Sequence, residues 1–363
     1  MKIKINHKDL LDGIQAIQNV TPTRATLPVL SNFLFETQKD SVRIVATDLD
    51  LGVSKIIKAE IQEEGGITIP AKRFSEIIKE SPQNEDITIQ VKKNNSIHIN
   101  CGACFFKLMG MPREEFPKIP KIEKKETLVL EQKELKKMLD LTLFAVSHDE
   151  ARYVLNGVLF DVKDKGVNVV ATDGRRLAFY KHAIENGGVN FQMIVPMKTI
   201  QELNRSLKEE GSVKIICNEN HVCFDLTDTL IISRLTEGEF PGYAQVIPEE
   251  AKNKIKIRRE TFLQAVKRTS LFATAESLSI RLDVFKDKIT ISKIVPEIGE
   301  AKEDVAVEYG GKEFAIGFNP YYLMDVLKGL KEEDVYFELL DAEKPGVIRT
   351  ANYIYIVLPM QLT

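Results

Sequence analysis

The chain has 363 residues, 44% of them hydrophobic, and no tryptophan, so its length predicts two to four domains with cores of Ile, Leu and Val. A net charge of −3 argues against a simple basic nucleic-acid binder, although not against a protein that gathers its cations on one surface. No apolar leader opens the sequence, no run approaches the ~18 apolar residues of a membrane span, and four cysteines in so long a chain fit a reducing compartment, so the expected location is cytoplasmic, with no membrane partner.

In chain order, the first predicted helix, KDLLDGIQAIQNV from Lys8, leads through TPTRATLPVL into the strand SNFLFE. A strand and turn with Thr-Asp follow in VRIVATDLDLGVS at 42–54, then a strand feeding a second helix in ITIPAKRFSEIIKE at 67–80, then strands in DITIQVKKNNSIHINC. The same order returns about 125 residues later. KELKKMLDLTLFAV opens at Lys133, SHDEARYVL and NGVLFD follow, VNVVATDGRRLAFY spans 167–180, and MIVPMKTIQELNRSLK spans 193–208. A third copy opens at Arg259 with RETFLQAVKRTSLF, has ITISKIVPEIG in place of the Thr-Asp turn, and continues through FAIGFNPYYLMDVLKGLK to YIYIVLPMQLT. A period this long makes the repeating unit a whole domain. Runs of strands broken by two helices per copy predict an α+β fold, with three similar domains at 1–122, 123–252 and 253–363. The charged stretches 118–126 and 248–254, beside Phe116-Pro117 and Phe240-Pro241, read as linkers.

Apolar residues recur at helical spacing in all six helices, so each buries one face. Counted over 8–19, 72–80, 133–144, 198–208, 258–268 and 320–331, the helices carry +7, which leaves −10 elsewhere. Lys and Arg are good helix formers and can simply solvate an exposed face. If the helices instead share one side, that side attracts phosphates without regard to base sequence.

Cys101-Gly-Ala-Cys104 is a CxxC, but Cys217 and Cys223 are over 100 residues away and His98 alone does not complete a set, so no metal is expected. No phosphate-binding glycine loop, HExxH or GxSxG is present. Asp48 and Asp173, in matching turns, suit turn formation. An enzyme using the turn from Asp173 to Arg176 would need a nucleophile or metal that the sequence does not supply, so no catalytic residue or cofactor is expected.

Together, the three tandem copies, the ATDLDLG and ATDGRRLAFY turns, the EFPGYAQVIP segment and the final VLPMQL resemble the bacterial DNA polymerase III beta subunit, the sliding clamp, over essentially the whole chain. The resemblance implies a head-to-tail homodimeric ring of six similar domains around duplex DNA, with helices lining the hole. It places Arg24, Arg73, His148, Arg152, Tyr153, Lys198 and Arg205 at the DNA. Tyr153 also reads as a partly buried strand residue and His148 as a surface loop residue, and Asp149 and Glu150 weaken the phosphate attraction of their segment. The resemblance further implies a groove between the second and third domains for short peptides with Leu and Phe anchors. Leu155, Thr172, Gly174, Arg175, Arg176, Leu177, Pro241, Val246, Asn319, Tyr322, Leu358, Pro359 and Met360 would line it, with Gln245 and Gln361 where some relatives carry basic residues. By itself IYIVLPM reads as the last core strand. The implied partners are double-stranded DNA, the DNA polymerase III catalytic subunit, the clamp loader complex, and repair, translesion and mismatch-repair proteins carrying a clamp-binding motif. Phe106 and Leu108 of one chain would meet Leu271 and Phe272 of the other. A protein-binding scaffold with no DNA role is the alternative from another class.

Overall fold

The computed structural model describes residues 1–22, 27–120, 122, 126–163, 165–184, 189–296 and 298–362. These fall into two compact units, 1–136 with 198–235, and 137–197 with 236–363. Arg24 lies outside the described residues.

Six α-helices form where the apolar spacing predicts them: α1 (His7–Ile17), α2 (Ala71–Glu80), α3 (Gln132–Asp140), α4 (Met197–Ser206), α5 (Arg259–Thr269) and α6 (Pro320–Gly329). Leu10, Ile14 and Ile17 of α1 and Phe74 and Ile78 of α2 are fully buried, as the stripe requires. Asn6 caps α1, its side chain accepting from the Lys8 and Asp9 amides, and Asn319 caps α6, accepting from Tyr321 N–H at 3.0 Å with Pro320 in the first turn. Helices α3, α4 and α6 end earlier than the sequence predicts. Beyond α3, Leu143–Ala145 tightens into a 3₁₀ turn.

All strand pairs are antiparallel, and they follow one rule at two places. Within the first unit, Leu51–Lys58, the third long strand of copy one, pairs with Thr229–Arg234, the last strand of copy two, with Gly52 opposite Ile232. Within the second unit, Arg176–Ala183 of copy two pairs with Tyr353–Val357, the last strand of copy three, with Leu177 opposite Ile356. Each junction is thus a continuous sheet shared by two repeats, which hides edges that would otherwise be open. Six strands end sheets among the described residues, and one internal strand is paired along only part of one side. Cys104–Met109 ends the five-stranded sheet of copy one, and Gly299–Glu308 pairs fully with Lys288–Val295 but touches Ile255–Arg258 only at Glu308 and Val307.

The Phe-Pro pairs are core anchors and not free linker. Phe116 is buried with Val29, Leu34 and Val45, and Phe240 packs on the cluster of Leu159, Val170, Leu177, Ile194, Val347 and Ile356. The CxxC closes a hairpin, with Cys101 opposite Cys104 across the turn at Gly102, whose φ is +55°. All four cysteines are free thiols, and the described residues contain no cluster of three or more candidate metal ligands. Among the described residues no helix is long and apolar enough to cross a membrane.

Candidate functional site

A groove of about 460 Å³ opens over the second junction. Its floor is Leu177 and Ile356, its walls are the turn at 172–176 and the segment Phe240–Val246, and Leu358 closes one end. Alternation along Arg176–Ala183 puts Leu177 on the groove face, where it is buried in the cluster beneath. The turn is held by its own side chains. Thr172 Oγ1 donates to the Arg176 carbonyl at 2.6 Å and accepts from Gly174 N–H at 3.0 Å. Asp173 Oδ1 accepts from the Arg175 and Arg176 amides at 2.9 and 3.0 Å. Gly174 has φ +84°, which glycine adopts without strain, and a Cβ there would lie 2.7 Å from the Arg152 guanidinium; the matching turn of copy one holds Leu49 at the same φ. With its carboxylate accepting from the turn amides and from Arg176 Nε at 3.0 Å, Asp173 serves as a turn former.

Arg176 borders the groove, yet its charged head points into the protein. It is 10% exposed and reaches Asp325 at 2.7 Å, donates to the Phe144 carbonyl, and lies 4.3 Å above the Tyr322 ring. Burial opposes its charge, but the Asp325 and Asp173 carboxylates hold its pKa above the ordinary arginine value. Arg175, on the opposite side of the turn, is the exposed cation at the groove.

Tyr243 decides how open the groove is. Its hydroxyl donates to Asp161 at 2.7 Å and accepts from Asn168 at 3.1 Å, and its ring lies 5.7 Å from that of Phe179. Burial pushes the Tyr243 phenol up, and the hydrogen bond to Asp161 adds to this, to about 12. Burial of Asp161 would raise its pKa, but hydrogen bonds from Tyr243, Gln192 and Lys163 outweigh it and hold the carboxyl below its ordinary value.

Of the residues expected at the groove, Leu155, Thr172, Gly174, Arg175, Arg176, Leu177, Pro241, Val246 and Leu358 line the cavity. Four others are not among its lining residues. Asn319 is the α6 cap, Tyr322 lies under Arg176, Met360 N–H is bonded to the Gly317 carbonyl at 2.8 Å, and Pro359 lies between Leu358 and Met360 in the same tail. Phe240, Gly242, Tyr243, Pro345 and Ile356 line it without having been singled out. The EFPGYAQVIP segment and the alternation of IYIVLPM carried that signal for four of them. Nothing in the sequence marked Pro345.

The residues expected at DNA are exposed but mostly paired. Arg73 on α2 meets Glu76 at 3.2 Å, Lys198 on α4 meets Asp48, Arg205 on α4 meets Glu202, and Arg152 lies 3.7 Å from Asp149. Within their observed limits the six helices carry +4, less than expected, because α4, α5 and α6 exclude Lys208, Arg258 and Lys331. The pairs of Arg73 and Arg152 are exposed on both sides and contribute ~0–1 kcal/mol, so a phosphate can displace those acids at small cost, whereas Glu202, the partner of Arg205, is buried. Tyr153 is 59% exposed on the 3₁₀ segment Glu150–Leu155, which sets aside the partly buried strand reading, and His148 is exposed beside it. Phe106 and Leu108 are half-buried on Cys104–Met109, Phe272 is half-buried close to Gly299, and Leu271 is 78% exposed.

Family models of the DNA polymerase III beta subunit match the chain end to end: the N-terminal domain at residues 1–120, the central domain at 129–242 and the C-terminal domain at 244–361. The beta sliding clamp of Chlamydia pneumoniae is 33% identical, covering 100% of this chain and 99% of its own length, and that of Escherichia coli is 30% identical with full coverage of both. Among solved structures, a sliding clamp (DNA polymerase III subunit beta) from Bartonella birtlesii bound to griselimycin superposes with a TM-score of 0.95 at 31% identity, and the sliding clamp of Bacillus subtilis with 0.93 at 29%, each covering both chains completely. Three consecutive domain matches in order, on a scaffold with two sheet-sharing junctions, leave one conclusion: the chain belongs to the DNA polymerase III beta subunit family, the bacterial sliding clamps.

Proposed function

We propose that the protein acts as a replication processivity factor, a clamp without catalytic activity of its own that encircles duplex DNA and tethers the replicative polymerase through the groove at the second junction. The observation that carries this is the pairing rule. Twice, the third long strand of one repeat adds to the last strand of the next, and each time a sheet continues. Applied once more, Gly299–Glu308 of one copy pairs with Cys104–Met109 of a second copy, and Leu271 and Phe272 meet Phe106 and Leu108. The relation is mutual, so two copies close with both of these strands paired. The domains of such a closed pair correspond to 1–122, 123–252 and 253–363.

In this reading Arg24, Arg73, Arg152, Lys198 and Arg205, with His148 and Tyr153, touch the DNA backbone. The exposed acid partners of Arg73 and Arg152 keep those contacts weak, which suits sliding. Short peptides of the polymerase, the clamp loader and repair proteins place Leu and Phe side chains over Leu177 and Ile356, and griselimycin, bound by relatives, competes for the same groove. The expected location is the cytoplasm.

The test is topological. Loaded onto nicked circular DNA by its clamp loader, the protein is retained at high salt and is released within minutes once the circle is linearised. Retention that is indifferent to linearisation overturns encirclement and leaves the scaffold alternative.

A further inference from the structure

The first junction contains the same groove position as the second, residue for residue. Thr47, Gly52, Pro117 and Ile232 stand where Thr172, Leu177, Pro241 and Ile356 stand, yet the cavity at Thr47 and Gly52 is about 40 Å³ against about 460 Å³, while the larger cavity of this junction, about 750 Å³, is lined by Leu34, Val45, Cys223 and Leu230 and does not reach Gly52. One side chain accounts for the difference. Ile119, three residues after Phe116, holds the place that Tyr243, three residues after Phe240, holds at the second junction. A Cβ built on Gly52 would lie 3.3 Å from Ile119 Cδ1, and all three of its nearest neighbours are atoms of Ile119. Ile119 therefore lies across the floor strand and also packs against the Val29, Leu34, Val45 and Phe116 cluster.

Tyr243 is kept off its floor by Asp161, Asn168 and Phe179. The matching residues of copy one are Glu36, Arg43 and Ser54. Glu36 and Arg43 pair with each other at 3.4 Å, and an isoleucine offers them no hydrogen bond. An isoleucine has no polar group to be drawn aside by them, and partial burial over an apolar floor is favourable.

We propose that Ile119 is a resident anchor, a side chain of the chain itself that occupies at the first junction the seat left open to an incoming apolar side chain at the second, so that each chain offers one peptide site and not two. This rests on the groove function proposed above. Gly52 is part of the device, since the smallest residue on the floor makes room for the resident.

The test counts sites by titration calorimetry, with a fluorescein-labelled synthetic hexapeptide ending in Leu-Phe as the probe. The wild-type chain binds one peptide, and Leu177→Asp abolishes that binding. If Leu177→Asp binds as the wild type does, the assignment of the second groove fails, whatever holds at the first. In the Leu177→Asp background, Ile119→Ala restores one site per chain at ~10–100-fold lower affinity, because the Arg175 and Leu177 contacts have no equivalent at Asp50 and Gly52. The second variant, Gly52→Leu on the otherwise wild-type chain, removes no side chain, expels Ile119 from the floor and raises the count to two. If both Ile119→Ala with Leu177→Asp and Gly52→Leu, each folded by its near-ultraviolet dichroism, gain no site, the resident-anchor proposal is wrong.

Discussion

The two junctions use the same strands and the same register but meet the solvent differently. At the second, Arg176 binds the turn to α6 from beneath, and Tyr243 is fastened to Asp161, so the apolar floor stays uncovered. At the first, Leu51 and Ile119 stand at those two positions, and the floor is covered by the chain's own isoleucine. An uncovered apolar floor is the costly state, because nearby apolar side chains gain by lying over it. Keeping it open takes a polar device that holds the covering segment aside, and at the second junction Asp161 and Asn168 supply it. The first junction is secured at its sheet instead, where Lys55 from copy one and Lys208 from copy two converge on Asp228 at 2.8 and 3.0 Å.

The comparison is broken most sharply at Arg176. Arg176→Met leaves Asp173 and Asp325 without their buried partner and should lower stability by ~3 kcal/mol, read as a fall in the urea midpoint. A change below ~1 kcal/mol would mean that Arg176 does not bind the turn to α6.

The Tyr243 clasp comes next. Tyr243→Phe leaves the Asp161 carboxylate one donor short and should cost ~1–2 kcal/mol, with weaker binding of Leu-Phe peptides as the ring drifts over the floor. Because the folded tyrosine titrates at about 12 against an ordinary 10, its contribution is complete below pH 10 and is lost as the pH rises through about 12. Asp161, whose folded pKa is depressed, contributes above its ordinary value of 3.8 and loses that contribution as the pH falls below it. Thermal melts from pH 9 to 12 should show a steeper alkaline loss in the wild type than in Tyr243→Phe, where the buried Tyr353 and Tyr355, also held above the ordinary value, still contribute.

The smallest effect is at the first junction. The lysines outweigh the burial of Asp228 and hold it at about 2, but its side chain is 40% exposed, so screening leaves Asp228→Asn a cost of ~1 kcal/mol. That stability is present above pH 3.8 and is lost as the pH falls through about 2. Melts of Asp228→Asn and wild type should therefore converge below pH 2, and a gap that persists there would place the effect in packing.

Much of this was legible in the chain. The helix stripes put Leu10, Phe74, Ile200 and Phe262 in cores, and all four are fully buried. The Thr-Asp turns folded as turns because Asp and Thr side chains bond their own backbone, a local interaction that sequence reports directly. Less legible were roles that depend on a distant partner. Arg176 and Arg175 are adjacent and chemically alike, yet one is buried on Asp325, 149 residues away, and the other faces the groove. The pairing of Arg73, Arg152, Lys198 and Arg205 with acids also lay beyond a count of helix charge, since Asp48 reaches Lys198 from another repeat.

The sequence by itself determined the threefold repeat, the secondary structure of each copy and the family, because periodicity, turn chemistry and motif order are properties of neighbouring residues. Only the tertiary structure decided which junction carries an open groove. Ile119 and Tyr243 occupy equivalent positions, and whether such a residue covers the floor or stands clear depends on what the rest of the fold brings to it: a carboxylate, an amide and a ring in one repeat, and a closed ion pair and a serine in the other. Burial is favourable for any apolar side chain, so composition cannot reveal where it happens; the partner that prevents it is specific, and it is supplied through space.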